Sequence, residues 1–303
     1  MRTFSRWVAL AVLVCGPAAY ADRNDIVITK LGNPDPGEAN FNPEAHGDFR
    51  AFARTFAAVL TSVNLMPPET LGHAGFSLQA ELGVISLPSE VNLATEGTPT
   101  DPLLLPSLHV RKGLPFSLEL GARVGWLDRS NLFAATGEVK WAVNEGFTWL
   151  PDIGVRAHVT RLMGNRDFDL TAAGLDLGVG KQFPLGGMVT LTPYGGLDLV
   201  GVMATSDTLD FRPDRPLNTT LDPANPYAGL EDTSVYQELR LGENINTRFY
   251  GGVRFIGGAL QLGAEVSVSN QGTIQVLNAT TNQTRDRALP AVLAFSTTLG
   301  LDF

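Results

Sequence analysis

Residues 289–303 read LPAVLAFSTTLGLDF. Counted back from the last residue, Leu293, Phe295, Thr297, Leu299, Leu301 and Phe303 fall on one side of an extended chain, and Ala294, Ser296, Thr298, Gly300 and Asp302 on the other. A repeat of two is the side-chain period of a β-strand. One face is apolar and the other small or polar, so the two sides of this strand meet different surroundings.

The same period recurs upstream at about 72–87, 103–111, 115–127, 131–144, 148–161, 168–183, 188–202, 243–256 and 259–269, which with the closing segment makes ten strands. Lys112-Gly113, Asn144-Glu145-Gly146, Pro184 to Gly187 and Gly257-Gly258 read as tight turns. They alternate with longer connections, the longest an acidic stretch at 203–242 and another at 270–287. An even count lets antiparallel strands close into a ring; if Ser234 to Leu241 belonged to a further hairpin, the ring would have twelve.

A soluble sandwich also alternates, and three features argue for lipid instead. The apolar face carries almost no charge; Arg161 and Lys181 are the exceptions and lie near strand ends, where a long side chain reaches the interface. Aromatic residues gather at the rims of that face, with Phe76, Phe116, Trp141, Trp149, Phe183, Phe255 and Phe303 near one end and Trp126 and Phe133 near the other. The opposite face holds ionisable groups at mid-height: Glu81, Arg123, Glu138, Arg156, Asp176, Asp198, Arg248 and Glu265, whose signs nearly alternate. They are expected to form a salt-bridged belt in a narrow lumen, structural or acting as a gate. Glu119, Lys140, Asp152, Arg254 and glycines such as Gly121, Gly174, Gly178 and Gly180 extend that polar interior.

An alternating apolar strand that stops on a carboxy-terminal Phe resembles the closing strand, or β-signal, of bacterial outer-membrane β-barrels, carried here by Phe295, Leu299, Leu301 and Phe303. The resemblance is to a class and brings no family-specific catalytic or binding motif. It implies an all-β fold, an antiparallel up-and-down transmembrane barrel over 72–303 in the outer membrane of a Gram-negative cell. Its partners would be outer-membrane lipid, lipopolysaccharide and the barrel-assembly machinery. With Phe303 in the periplasm, the parity of the strands puts both ends of the chain there.

The first 21 residues read as a secretory signal: Arg2 and Arg6, an apolar run from Trp7 to Val14, and Ala19-Tyr20-Ala21 ahead of Asp22. Cleavage there removes Cys15, the one cysteine. Mean hydropathy of +0.06 is what strands with one polar side give. The chain has 22 Lys and Arg against 31 Asp and Glu, a net charge of −9, and losing Arg2 and Arg6 makes it −11, which argues against nucleic acid as a partner. After the signal, no apolar run reaches the ~18 residues of a membrane helix.

Residues 22–71 are expected as a periplasmic segment with one amphipathic helix at about 48–63. Phe49, Phe52, Phe56, Val59, Leu60 and Val63 recur at three and four, Asp48 serves as N-cap, and Pro67-Pro68 stops the helix. Packing at a barrel mouth or on the inner leaflet suits this face; a plug in the lumen would set phenyl rings against a polar wall.

His73, His109 and His158 all fall on the inward face by alternation, too scattered for a metal cluster, and His158 could meet Asp176 or another lumen carboxylate on the sixth strand. Neither metal nor cofactor nor catalytic residue is expected. The functional expectation is a structural or surface-display barrel with a largely occluded, charged lumen. The alternative is a narrow gated channel for a small solute.

Overall fold

The computed structural model describes residues 22–36, 38, 40–61, 63–88, 90–186, 189–212 and 233–303; the expected signal peptide lies outside them. Ten strands form the ring: β1 (Phe76–Ser86), β2 (Leu103–Leu114), β3 (Leu118–Trp126), β4 (Phe133–Asn144), β5 (Asp152–Met163), β6 (Phe168–Gly180), β7 (Val189–Ser206), β8 (Ile245–Gly257), β9 (Leu260–Asn270) and β10 (Val292–Asp302). Each pairs antiparallel with its neighbour in sequence, and β10 pairs back onto β1 with Ala80 opposite Leu299, so the sheet closes. Closure leaves no ring strand with an unpaired edge, a requirement in lipid, where water cannot satisfy the backbone. Within the described residues the additions to this sheet are small: Phe183–Leu185 pairs with residues 189–191 at the start of β7, and Leu239 makes a single bridge to Ala204 near its end. Leu209–Asp210 pairs only with Thr233–Ser234, and residues 213–232 lie outside the description.

Alternation sorts the side chains as the period requires. Leu82, Leu108, Val124, Val139, Val159, Leu175, Leu199, Phe249, Val266 and Leu299 stand exposed around the outside. A charge at mid-depth on such a face would cost ~2–4 kcal/mol in a bilayer. Arg161 and Asp169 pair with each other at 3.0 Å near the end of β5 and β6, and Lys112 and Lys181 turn back onto backbone carbonyls at the opposite rim. The rim aromatics expected from the sequence, from Phe76 to Phe303 and from Trp126 to Phe133, are all exposed. Among the described residues no helix is long and apolar enough to cross a membrane, and the strands make the crossing.

One turn differs from expectation. β2 runs past Lys112-Gly113 to Leu114, which pairs with Leu118, and the reversal falls on Phe116 and Ser117, both with positive φ (66° and 57°). The connection 271–291 is also not a plain loop: Thr273–Asn278 and Gln283–Ala288 form a hairpin above the barrel.

The amino-terminal helix lies at one mouth of the barrel, with its phenyl face turned into the lumen. Helix α1 (Ala45–Leu60) sits at the end of the barrel that carries the long connections 87–102, 207–244 and 271–291, hereafter the loop end. Phe303 and the turn at Gly258 lie at the opposite, turn end. Phe49, Phe52 and Phe56 are fully buried; Phe52 meets Phe168 edge-on at 5.3 Å and Phe49 stacks on Tyr236 at 4.8 Å. The helix therefore lies at the end of the barrel opposite the short turns. Its phenyl face fits because the loop-end half of the inner wall is apolar. Ile85, Leu103, Leu132, Ala134, Leu162, Phe168, Leu170, Val200, Val202 and Val292 all point inward and are buried there. The helix begins a turn earlier than expected, with Glu44 at the N-cap position. Asp48 sits in its first turn and accepts a hydrogen bond from Asn42 Nδ2 at 2.7 Å.

Candidate functional site: the lumen and the strap that crosses it

After Leu60 the chain turns extended at Thr61 and descends through the turn-end half of the lumen to β1, with no helix or strand over 63–71. This strap is gripped by charged side chains from many strands. Arg123 Nη1 donates to Val63 O at 2.6 Å and Arg111 Nη2 to Asn64 O at 3.2 Å, while Glu265 accepts from Leu65 N at 2.8 Å. Lys140 Nζ donates to Glu69 O at 2.9 Å, Glu119 accepts from Leu71 N at 3.0 Å, and Glu145 accepts from Thr70 N at 2.8 Å. The Glu69 carboxylate pairs with Arg254 and accepts from Gln182 Nε2 at 2.7 Å. Hydrogen bonds to charged partners are the stronger kind, and a strap without its own ladder needs them to satisfy its buried backbone.

Glycines make the passage wide enough. A Cβ at Gly154 would lie 2.7 Å from Pro68 O, and one at Gly180 2.8 Å from Pro68 Cδ, so Pro68 fits only against bare backbone. The Pro67-Pro68 pair expected to stop the helix thus packs against the wall further down.

All eight residues of the expected belt are buried and inward. Glu81 meets Arg123 Nε at 2.7 Å. Glu138, Arg156 and Asp176 form a chain with contacts of 2.8 and 3.1 Å. Asp198 is held by His158 at 3.1 Å and Arg248 at 3.5 Å. Glu265 accepts from Tyr194 OH at 3.1 Å as well as from the strap. Asp176 and Asp198 stand directly opposite in register, a repulsive placement offset by the cations beside them and by Tyr250 OH, which donates to Asp176 at 2.6 Å. The wall also includes Arg111, 1% exposed, which the sequence reading left at a strand end, as well as Tyr194 and Tyr250.

The histidines separate. His73 is exposed before β1 and does not face the lumen. His109 bridges Glu81 and Glu138, 2.9 Å from each, and His158 meets Asp198 rather than Asp176. Between the strap, Glu81, Arg123 and Ser296 a cavity of about 30 Å³ remains, room for a water or two. Among the described residues no group of three or more His, Cys, Asp or Glu is arranged to hold a metal ion.

Phe295, Leu299, Leu301 and Phe303 all lie on the outward face, Phe303 at 71% exposure beside the start of β1. There its backbone exchanges two hydrogen bonds with Phe76.

At the loop end the outer hairpin is tied to α1 by ion pairs of Arg285 with Glu44 and Arg287 with Asp48. The side-chain hydrogen bond from Arg285 holds the Glu44 carboxyl below the usual carboxylate range, reinforced by that cation and Arg287 and opposed by burial. Burial holds the His46 imidazole below its usual value against the charge of Asp35, and His46 Nδ1 accepts from Gln237 N at 3.1 Å. Both shifts have one sign. A depressed carboxylate contributes stability above its unfolded value, ~4.3, and loses it as pH falls through the folded value. A depressed histidine begins to lose its contribution as pH falls below ~6.5. Acidification from pH 7 to ~3, through both windows, is expected to speed amide exchange in 45–52 and 273–288, corrected for intrinsic rate. Unchanged protection there would count against these ties.

No family model matches the chain, and no curated protein matches it. Solved structures that resemble it include the outer membrane protein OprG from Pseudomonas aeruginosa, at 12% identity and TM-score 0.31 over 78% of this chain and 99% of that one. Neisserial surface protein A gives 13% and 0.28 over 76% and 100%. The outer-membrane expressed OmpT of Vibrio cholerae gives 13% and 0.28 over 67% and 57%. The closed ring of ten strands, its apolar outer band and its aromatic rims give this chain the fold of an antiparallel transmembrane β-barrel of outer-membrane type.

Proposed function

We propose that the protein is an outer-membrane barrel whose lumen is closed by its own amino-terminal strap, and whose working surface is the loop end rather than a pore. The observation that carries this reading is the grip on residues 63–71 by Arg111, Glu119, Arg123, Lys140, Glu145, Arg254 and Glu265, drawn from five strands and a turn. The loop-end half holds α1 in an apolar socket, so both halves of the lumen are occupied. The two lumen histidines are buried and held by wall carboxylates as part of the belt. Phe295, Leu299, Leu301 and Phe303 then serve recognition by the barrel-assembly machinery, and the outer band meets lipid and lipopolysaccharide. A gated channel for a small solute is the second reading. It is favoured by one observation: the strap has no helix or strand of its own and is held by side chains that could let it go.

The refolded chain is expected to show the heat-modifiable gel mobility of a closed barrel and no steady current in a planar bilayer. Steady ohmic current from wild-type protein would overturn the closed-lumen reading.

A further inference from the structure

We infer that residues 22–44 lie on the cell surface, as part of the same outer face as the long loops, joined to β1 by the strap that crosses the barrel. The inference rests on the outer-membrane reading, with Phe303 and the short turns in the periplasm. Its geometric basis is that the two ends of the described chain sit at opposite mouths. Thr70 and Leu71 are bonded at the turn end to Glu145 and Glu119, and the preceding residues climb through the lumen to α1.

Residues before α1 do not hang free at that mouth but knit its loops together. Asn24 Nδ2 donates to Thr100 Oγ1 at 2.9 Å and to Asp128 O at 2.7 Å, joining the connections after β1 and β3. Asp25 accepts from Asn131 N at 2.6 Å, and Lys30 Nζ donates to Thr95 O at 2.9 Å. Tyr236, from the connection after β7, donates its hydroxyl to Ile28 O at 3.0 Å and Gly32 O at 2.8 Å. Asn24, Ile28 and Asn33 are fully buried by these contacts. A segment so built into three loops shares their compartment, and a partner docking on the loops meets residues 22–44 as well.

The test is cysteine labelling of cells expressing the full chain, with Cys15 replaced by Ala so that each variant carries one thiol. Asp35→Cys and Pro36→Cys report on the segment, Thr280→Cys on the outer hairpin and Thr148→Cys on the turn end; all four positions are exposed. Heat-modifiable mobility identifies the variants that fold. A membrane-impermeant maleimide is expected to label Asp35→Cys, Pro36→Cys and Thr280→Cys on intact cells as fully as after permeabilisation, and Thr148→Cys only after it. Labelling of Thr280→Cys on intact cells while both segment thiols require permeabilisation would overturn the inference. So would Thr148→Cys reacting on intact cells while the segment stays silent. Current through the refolded barrel would sink the closed-lumen reading and leave the labelling result untouched.

Discussion

A chain lacking residues 22–71 is expected to conduct steadily in a planar bilayer where the full chain is silent. Apart from Arg254, which loses Glu69, the wall left behind keeps its ion pairs without the strap. Glu81 keeps Arg123, Glu119 keeps Lys140 at 3.0 Å, Glu138 and Asp176 keep Arg156, and Asp198 keeps Arg248. What the deletion removes is the material between those walls, and water replaces it around groups that already prefer water. Two effects oppose each other. Losing Phe49, Phe52 and Phe56 from the socket forfeits ~1.5–3 kcal/mol of burial apiece, so the barrel becomes less stable and its heat shift moves to lower temperature. The emptied socket, lined by Ile85, Leu103, Leu132 and Val202, also resists wetting, which keeps the current small. A second deletion, of 22–60 alone, separates the parts: it empties the socket but keeps the strap, and is expected to stay silent. Silence in both would mean that wall side chains close the lumen unaided.

The ring itself was legible because a period of two needs only the order of apolar and polar residues, and lipid punishes every exception. The belt was legible for the same reason: once Leu82 or Val139 faces out, Glu81 and Glu138 must face in. The turn at Phe116 and Ser117 was missed because Lys112-Gly113 offers the stronger local signal, while the register that carries β2 on to Leu114 is set by pairing with β3.

The strap was invisible for a different reason. Residues 61–71 carry no periodicity, and what holds them is side chains from strands remote in sequence. The helix was legible as a helix, but the seat of its phenyl face in the loop-end half of the lumen was not, because the inward face was weighed only at mid-height. The same alternation continued toward the loop end places Leu132, Ala134, Leu162, Leu170, Val200 and Val292 inward, so the inner wall changes from charged to apolar along its axis. That gradient is present in the sequence, and it makes a Phe-rich helix a good fit to one half of the lumen and a poor fit to the other.

Arg156→Ala is expected to be the most damaging single change in the wall, and to lower stability without opening a conducting path. The guanidinium is 2% exposed and reaches Glu138 at 2.8 Å and Asp176 at 3.1 Å. Truncating it takes the shared cation from both buried carboxylates, leaves Glu138 to His109 and Asp176 to the Tyr250 hydroxyl, and keeps Asp176 directly opposite Asp198 across the β6–β7 pair. Breaking a buried ion pair from one side costs ~3–5 kcal/mol, because the partner's charge stays buried without compensation. The midpoint of denaturant unfolding in detergent should fall accordingly, with the heat shift retained below it. Removing Asp176 as well deletes one of the two carboxylates, so the double variant Arg156→Ala/Asp176→Ala should lose less than the sum of the two single losses, with a coupling of ~0.5–3 kcal/mol. If the belt only balanced charge at long range, the losses would add. If it gated an open pore, Arg156→Ala would raise conductance; with the strap still held by Arg111, Arg123 and Lys140, the current should stay at baseline. A variant within ~0.5 kcal/mol of wild type would show that the belt contributes little to the fold, and would leave the apolar outer band and the helix in its socket to hold the barrel together.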